Sequence, residues 1–553
     1  MTNSGMNDKN GHKVNNIHKE LRILAKDSFY SILYIYGSFI SLLFISFFKA
    51  RLISQDAWNN LILATSFISI ALLVLTFFPP GLENTLNYYI PRYNSLNEKN
   101  KLKILIIRAL ILKILFVILI FVISIFLFLF MSDLFAISLT IENVDLLFIL
   151  SPLIIIDSLN LLLISVNQSF HKFNVNFNLM LIKYSFNIGS LAYYFFFIKV
   201  INIETVAFIT VLSSSIPFII NLSINVNRIL KLEPKTKDKI PYVEDLQKFL
   251  KYGSPIRFGK FLTDIWGQFQ IQTIGFFDKD MLVGFSISKQ YLSVSLNATS
   301  SLLSPLTIAF TKLDVQKNDK QIEVIYNLLI KYSLFLMLLI TGILYICTDF
   351  FLAFFFGNSF LIFSNLVKIY LFSYVFLIFS GQFESLLLSK NKVKYIPMIR
   401  GLILIIRVPI FLTLLIFFNL IIAIIGVLII NLFYGVIIII LTIKIGKIKL
   451  NIKTIVYQYL AFFLTIGIII VLQFIGLNEL NYFILKSLNL LIFQEMNFLA
   501  LGLFLIAFLS LTIIFKTFIR EDIQNLDNLF STDKRLHRIT KSVLKILKKI
   551  VRK

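Results

Sequence analysis

IRALILKILFVILIFVISIFLFLFM, residues 107–131, carries only three polar side chains, Arg108, Lys113 and Ser124. About twenty consecutive apolar residues are enough for a helix to cross a bilayer. The run is continuous rather than alternating, which argues against a membrane barrel. Comparable stretches recur at 28–48, 58–79, 146–167, 177–199, 205–226, 247–276, 281–311, 324–347, 363–388, 395–418, 420–443, 455–476 and 495–516. They predict an all-α integral membrane protein with about 14 transmembrane helices. The seventh and eighth stretches are the most polar, and the eleventh and twelfth nearly merge around Asn419.

Composition agrees with this reading. Of 553 residues, 58% are hydrophobic and 15% charged, and the mean hydropathy is +0.85. A soluble domain carries about one charged residue in four. A cytosolic enzyme, a secreted disulfide scaffold and a disordered chain are therefore excluded. The single cysteine, Cys347, cannot form an intrachain disulfide or a cysteine metal cluster. His12, His18, His171 and His537 all fall in polar ends or loops, so neither a metal site nor a cofactor is expected.

The net charge of +24 is explained by where the basic residues fall. Arg92, Lys99, Lys101 and Lys103 share one loop, and Arg228, Lys231, Lys235, Lys237 and Lys239 another. Lys312, Lys317 and Lys320, then Lys390, Lys392 and Lys394, then Lys444, Lys447, Lys449 and Lys453 continue the alternation. Residues 132–145 and 348–360, on the opposite set of turns, hold no Lys or Arg. The positive-inside rule then puts both termini in the cytoplasm and the chain in the cytoplasmic membrane. No removable signal peptide is expected after the polar residues 1–26.

The linker 228–246, with Pro234 and Pro241, separates six predicted spans from the next six. Both halves open with a polar helix followed by a short acidic turn, SQDAWNN and DKDMLVG. The expected organisation is a cytoplasmic segment at 1–27, an N-lobe at 28–227, the linker, a C-lobe at 247–446, two added helices within 447–516, and a tail at 517–553. Two six-helix lobes of parallel topology would enclose a central cavity. In the tail, Leu536, Ile539, Val543, Ile546, Leu547 and Ile550 form an apolar face among nine basic residues that follow Asp533. That pattern suits an amphipathic helix on anionic lipid rather than a nucleic-acid arm.

Span seven carries Arg257, Lys260, Asp264, Gln268 and Gln272 at intervals of three and four, within an arc of roughly 120°. Span eight carries Lys289, Ser293, Asn297, Ser300 and Ser304 at similar spacing, and span one Asp27, Tyr30, Tyr34, Ser38 and Ser41. A charge at membrane depth costs about 2.5–3.5 kcal/mol, so such stripes face protein or water. They form either a polar cavity or a buried network that holds helices together. In the cavity reading, Arg257, Lys260 and Lys289 outnumber Asp264 and suit an anionic group such as phosphate. Arg407 lies deep on span eleven and either lines the same route or pairs structurally; Arg400 is expected to snorkel to headgroups. Asp157 and Lys183 should lie at similar depth, as a structural pair or as a proton or sodium site. No nucleophile–base set and no paired carboxylates occur, so no catalytic residue is expected.

Several segments resemble the polysaccharide and lipid-linked oligosaccharide (Wzx-like) flippases of the multidrug/oligosaccharidyl-lipid/polysaccharide exporter superfamily. ARLISQDAW at 50–58 resembles their first outer turn, and FPPGLENTLNYYIPRYN at 78–94 the end of their second helix. FLKYGSPIRFGKFL at 249–262 resembles the opening of their seventh helix, MLVGFSISKQYL with LLSPLTIAF their eighth, and FFFGNSF at 354–360 the loop before their tenth. The resemblance implies two six-helix lobes and alternating access. Where many relatives have an acidic residue near the outer end of helix seven, this chain has Gln270 and Gln272.

The expected function is translocation of a polyprenyl-(pyro)phosphate-linked oligosaccharide. Arg257, Lys260, Lys289 and Arg407 would hold the phosphate or an acidic sugar, and Gln268, Gln272 and Asn297 the sugar hydroxyls. Asp264, then Asp157, would be the ion-coupling candidates. Expected partners are the lipid-linked glycan, anionic lipids at the tail and glycan-assembly membrane proteins. The alternatives are a multidrug/ion antiporter of the same fold and a membrane glycosyltransferase or polymerase. The latter needs acidic residues on a large outer loop, and every predicted outer loop is short. No GxxxxGK[ST] phosphate loop is present.

Overall fold

The structure is a computed structural model that describes residues 5–77, 81–96, 98–134, 141–232, 254–300, 319–390, 394–487 and 496–515, with Gln247, Phe310, Lys392 and Thr517. Side chains of 5–28, 77, 84, 88, 92, 95, 130–134, 141–143, 255, 256, 297–300, 321 and 485 are outside that description. The predicted tail helix therefore lies outside it, as does the side chain of Asn297.

All regular elements among the described residues are helical. The first half comprises α1 (Gly5–Leu52), α2 (Gln55–Phe77), α3 (Leu82–Ser95), α4 (Lys99–Leu134), α5 (Ile141–Leu150), α6 (Pro152–Ser169), α7 (Phe173–Tyr193) and α8 (Ile203–Leu230). There follow α9 (Ser254–Phe277), α10 (Leu282–Ser300), α11 (Asp319–Ile346), α12 (Thr348–Phe355), α13 (Ser364–Ser373) and α14 (Ile378–Ser389). The last are α15 (Tyr395–Phe417), α16 (Leu420–Lys444), α17 (Ile452–Leu472), α18 (Asn478–Ser487) and α19 (Phe498–Ile514).

Ten stretches among the described residues are long and apolar enough to cross a membrane. They coincide with ten of the predicted spans. The fifth, seventh, eighth and fourteenth predicted spans are helical as α7, α9, α10 and α19, but α19 is shorter and the others are more polar.

Three predicted elements are built differently from the sequence reading. The span at 146–167 divides into α5 and α6 at Pro152, which has no N–H to continue the first helix. The span at 363–388 divides into α13 and α14 around a 3₁₀ turn, Val375–Leu377. The loop 348–360 is mostly helical, with α12 ending before Gly357, whose φ of +105° starts the 3₁₀ turn Asn358–Phe363.

Helix α4 shows how a run that is apolar all round acquires an inner face. Ala109, Lys113, Val117 and Ser124 are buried, whereas Leu115, Val122 and Leu129 are exposed. Lys113 and Ser124, rare polar residues of the run, thus mark the side that packs on protein, and the apolar remainder faces lipid.

The chain divides into two compact units. One contains Met1–Ser293, Phe355–Leu366 and Asn391–Ile430. In it α1 packs on α7, α6 on α3 and α8, and α9 on both α2 and α15. Leu82, Leu86 and Ile90 of α3 meet Leu102, Leu105 and Ile106 of α4 and Leu162 and Val166 of α6 in one apolar cluster. The other unit contains Val294–Phe354, Val367–Lys390 and Asn431–Lys553. In it α11 packs on α14, α17 and α19. Gly342 of α11 permits that approach, since a Cβ there would lie 1.9 Å from Phe504 Cζ.

Candidate substrate site on the seventh span

Helix α9 holds the predicted stripe and lies within the first unit. Its apolar side is anchored by Trp266, buried, whose ring lies 5.5 Å from that of Phe411 on α15. Gly275 accepts Leu63 of α2 at a distance that a Cβ would not allow, 2.3 Å to Leu63 Cδ2. These contacts fix the rotation of α9, and therefore the direction of the stripe.

Asp264 is the one carboxylate of the stripe. Lys260, Arg257, Arg400 and Lys289 are the cations near enough to act on it. Lys260 is exposed, while Arg257, Asp264 and Lys289 are half-buried. Lys289 reaches α9 from α10 at a gap left by Gly267: a Cβ on Gly267 would lie 2.9 Å from Lys289 Nζ. Arg400 is half-buried near the start of α15. Its Cδ lies 3.8 Å from where a Cβ on Gly259 would be, and its charge is felt at Asp264. The structure thus brings together Arg257, Lys260, Asp264 and Lys289, and adds Arg400.

Arg257 also has a structural duty. Its Nε donates to the carbonyl oxygen of Thr76 at 3.0 Å. Lys113 Nζ donates to the carbonyl of the preceding residue, Leu75, at 2.7 Å, and to Glu83 Oε1 at 3.1 Å. In a continuing helix those two carbonyls would receive N–H groups from positions 79 and 80. Both positions are proline and have no N–H. Two cations from other helices supply the missing donors.

The remaining predicted residues fall as follows. Gln268 Oε1 accepts from Ser66 Oγ of α2 at 2.7 Å, so this amide is at least partly structural. Gln272 is half-buried, and its Nε2 has no hydrogen-bond partner among the described residues. Gln270 is buried, with both amide atoms unpartnered among the described residues. Arg407 is half-buried on α15. Asp157 Oδ1 and Lys183 Nζ are 3.6 Å apart, which forms the expected pair. On span one, Ser38 and Ser41 donate to the carbonyls of Tyr34 and Gly37 within their own helix.

Lys113, Glu83, Ser66 and Gly267 are missing from the sequence-based site. Lys113 had its own signal, as a lysine inside the 107–131 run. Gly267 had none, because only the packing of α10 gives its missing side chain a meaning.

On the outer turns, Arg51 Nη1 donates to the Phe355 carbonyl, Gln55 Nε2 to the Asp280 carbonyl at 2.9 Å, and the Val283 N–H to Asn59 Oδ1 at 3.0 Å. Trp58 stacks on Phe356 at 6.1 Å. Burial raises the Asp278 carboxyl above its ordinary range, Asp280 beside it adds to the rise, and the Met281 N–H opposes it.

The fold is similar to that of solved MATE transporters. Among solved structures, a mutant form of the Vibrio cholerae MATE transporter VcmN superposes with a TM-score of 0.57 at 14% identity, over 77% of this chain and 97% of that one. An inward-facing multidrug resistance MATE family transporter gives 0.59 at 14% identity, over 72% and 92%. An outward-facing one gives 0.55 at 14%, over 75% and 93%. No family model and no curated protein matches the sequence.

Proposed function

We propose that this chain is a membrane transporter of the MOP fold that moves a polyprenyl-(pyro)phosphate-linked oligosaccharide across the cytoplasmic membrane by alternating access. The observation that carries the reading is the charge of the α9 stripe: Arg257 and Lys260 share the helix with the single carboxylate of Asp264, and Lys289 reaches that helix at Gly267. A site with that excess of cations suits a phosphate ester, which Arg grips through paired N–H donors.

The N-lobe (28–227) and C-lobe (247–446) would move against each other. Both termini would be cytoplasmic, and the basic tail would rest on anionic lipid. Lys260 and Lys289, with the guanidinium edge of Arg257 that Thr76 leaves free, would hold the phosphate. Arg407, Gln272 and Asn297 would line the sugar path, with Gln268 contributing beside Ser66. Asp264 is the ion-coupling candidate in preference to Asp157, since the Lys183 ammonium already neutralises Asp157. Glycan-assembly proteins of the same membrane would be its partners.

The second reading is a multidrug exporter, supported by the likeness to the inward- and outward-facing multidrug resistance transporters. Cationic drugs would be repelled by this stripe, so that reading requires anionic or neutral cargo.

The test is flipping of a fluorescent polyprenyl-pyrophosphate glycan in proteoliposomes. Lys260→Ala should lower the rate at least tenfold with unchanged membrane abundance, because Lys260 is exposed. Full activity in the Lys260→Ala/Lys289→Ala double variant would remove the phosphate-binding role. Arg257→Ala is a poorer probe, since it also strips the donor from Thr76.

A further inference from the structure

The second unit contains a groove of about 610 Å³ between α14, α16 and α17. Its floor is a stack of rings: Phe376 lies 5.1 Å from Tyr459, and Tyr459 lies 6.4 Å from Phe463. Gly435 lets α16 pack closely against the Val375–Leu377 turn at the floor, because a Cβ at that position would lie 2.8 Å from the Phe376 carbonyl oxygen. Val436 and Leu460 form exposed walls. The hydroxyl of Tyr459, a polar group in the floor, is spent on the Val375 carbonyl at 3.1 Å. The surface left is apolar and cannot hold water favourably.

The groove has a defined depth and a charged mouth. Along α17 its lining runs from Ile455 to Leu464. Nine rises of 1.5 Å make about 14 Å, roughly half of a 30 Å hydrocarbon core and so one leaflet. Just beyond Ile455 lies the turn that joins α16 to α17. It carries Lys444, Lys447, Lys449 and Lys453, all exposed. The opposing acid there is Glu323, whose Oε2 accepts the Lys449 backbone N–H at 3.2 Å. Asp319 is paired with Lys390 at 3.2 Å. Lys453 Nζ sits 5.6 Å from the Tyr457 ring, beside the groove mouth.

We propose that this groove is a binding site for an anionic phospholipid, with one acyl chain on the Phe376–Tyr459–Phe463 floor and its phosphate on the lysines of 444–453. The one-leaflet depth favours a phospholipid tail over a long polyprenyl chain, and the lysines select an anionic headgroup. The site is separate from the α9 stripe and does not depend on the substrate assigned to it.

The test uses Leu460→Trp in the full-length protein. The two native tryptophans, Trp58 and Trp266, are 5% and 4% exposed and lie in the first unit, so they add little to a contact-quenching signal. In nanodiscs with dilute brominated-chain phosphatidylglycerol, fluorescence of the introduced indole should be quenched at a lower mole fraction than with brominated phosphatidylcholine. A lysine at an anionic surface is worth about a factor of five, so adding Lys444→Gln and Lys453→Gln should weaken the phosphatidylglycerol preference about 25-fold. Equal quenching by the two lipids would reduce the groove to bulk lipid contact and overturn the proposal. Absence of quenching by either would overturn it too, by showing that protein, a second copy or the tail, covers the groove. Displacement of the brominated lipid by equimolar polyprenyl phosphate would reassign the groove to a substrate tail.

Discussion

Lys113→Met tests whether the end of α2 depends on donors borrowed from other helices. Lys113 is 1% exposed and Glu83 7% exposed. Their charges lie 3.1 Å apart, where attraction at an effective dielectric near 20 is about 5 kcal/mol. Desolvation of both groups offsets much of that gain, but removing one partner leaves the other charged and buried. Such a loss costs about 3–5 kcal/mol. The Leu75 carbonyl loses its donor as well, at about 1–3 kcal/mol, and Pro79 cannot replace it. Lys113→Met should therefore lower the ratio of folded to unfolded protein more than a hundredfold, a tenfold change being about 1.4 kcal/mol. Adding Glu83→Gln removes the orphaned charge and should recover most of the loss, leaving the cost of the bare carbonyl. Detergent-solubilised protein can be followed by temperature-dependent size-exclusion chromatography. Wild-type stability in Lys113→Met, or a double variant no better than the single, would refute the reasoning.

Gly267→Val should push the Lys289 ammonium off α9, because its place is 2.9 Å from the new Cβ; flipping should fall several-fold at normal abundance, and unchanged flipping would deny Lys289 a role there. Asp278→Asn should stabilise the protein at neutral pH, with the gain fading under acid. The sign follows from the raised carboxyl: its ionisation opposes folding, so the wild type is favoured below the ordinary carboxylate range and loses stability as pH rises through the elevated value. Thermal shifts of both proteins from pH 3 to pH 8 would check this, and parallel curves would contradict it. Reporter fusions after Lys239 and Lys447 should read cytoplasmic and those near Ser138 and Gly357 external; an external reading at Lys239 would remove the two-lobe organisation.

Much of this molecule is legible in its sequence, because a bilayer imposes simple demands. Backbone groups without water must pair within a helix, so runs such as 107–131 could become little else. Charge at depth is costly against lipid, which is why the spacing of Arg257, Lys260, Asp264 and Gln268 by itself marks a stripe that faces protein or water. The Asp157–Lys183 pair is legible for the same reason. Hydropathy carries no information on which helices meet, since lipid is as apolar as leucine. Tertiary structure alone showed that Gly267 is a seat for the ammonium of Lys289, that Arg400 packs at Gly259, and that Ser66 occupies Gln268. It alone joined Pro79 and Pro80 to Lys113 and Arg257: two N–H groups missing from one helix are replaced by side chains whose distance along the chain says nothing of their distance in space.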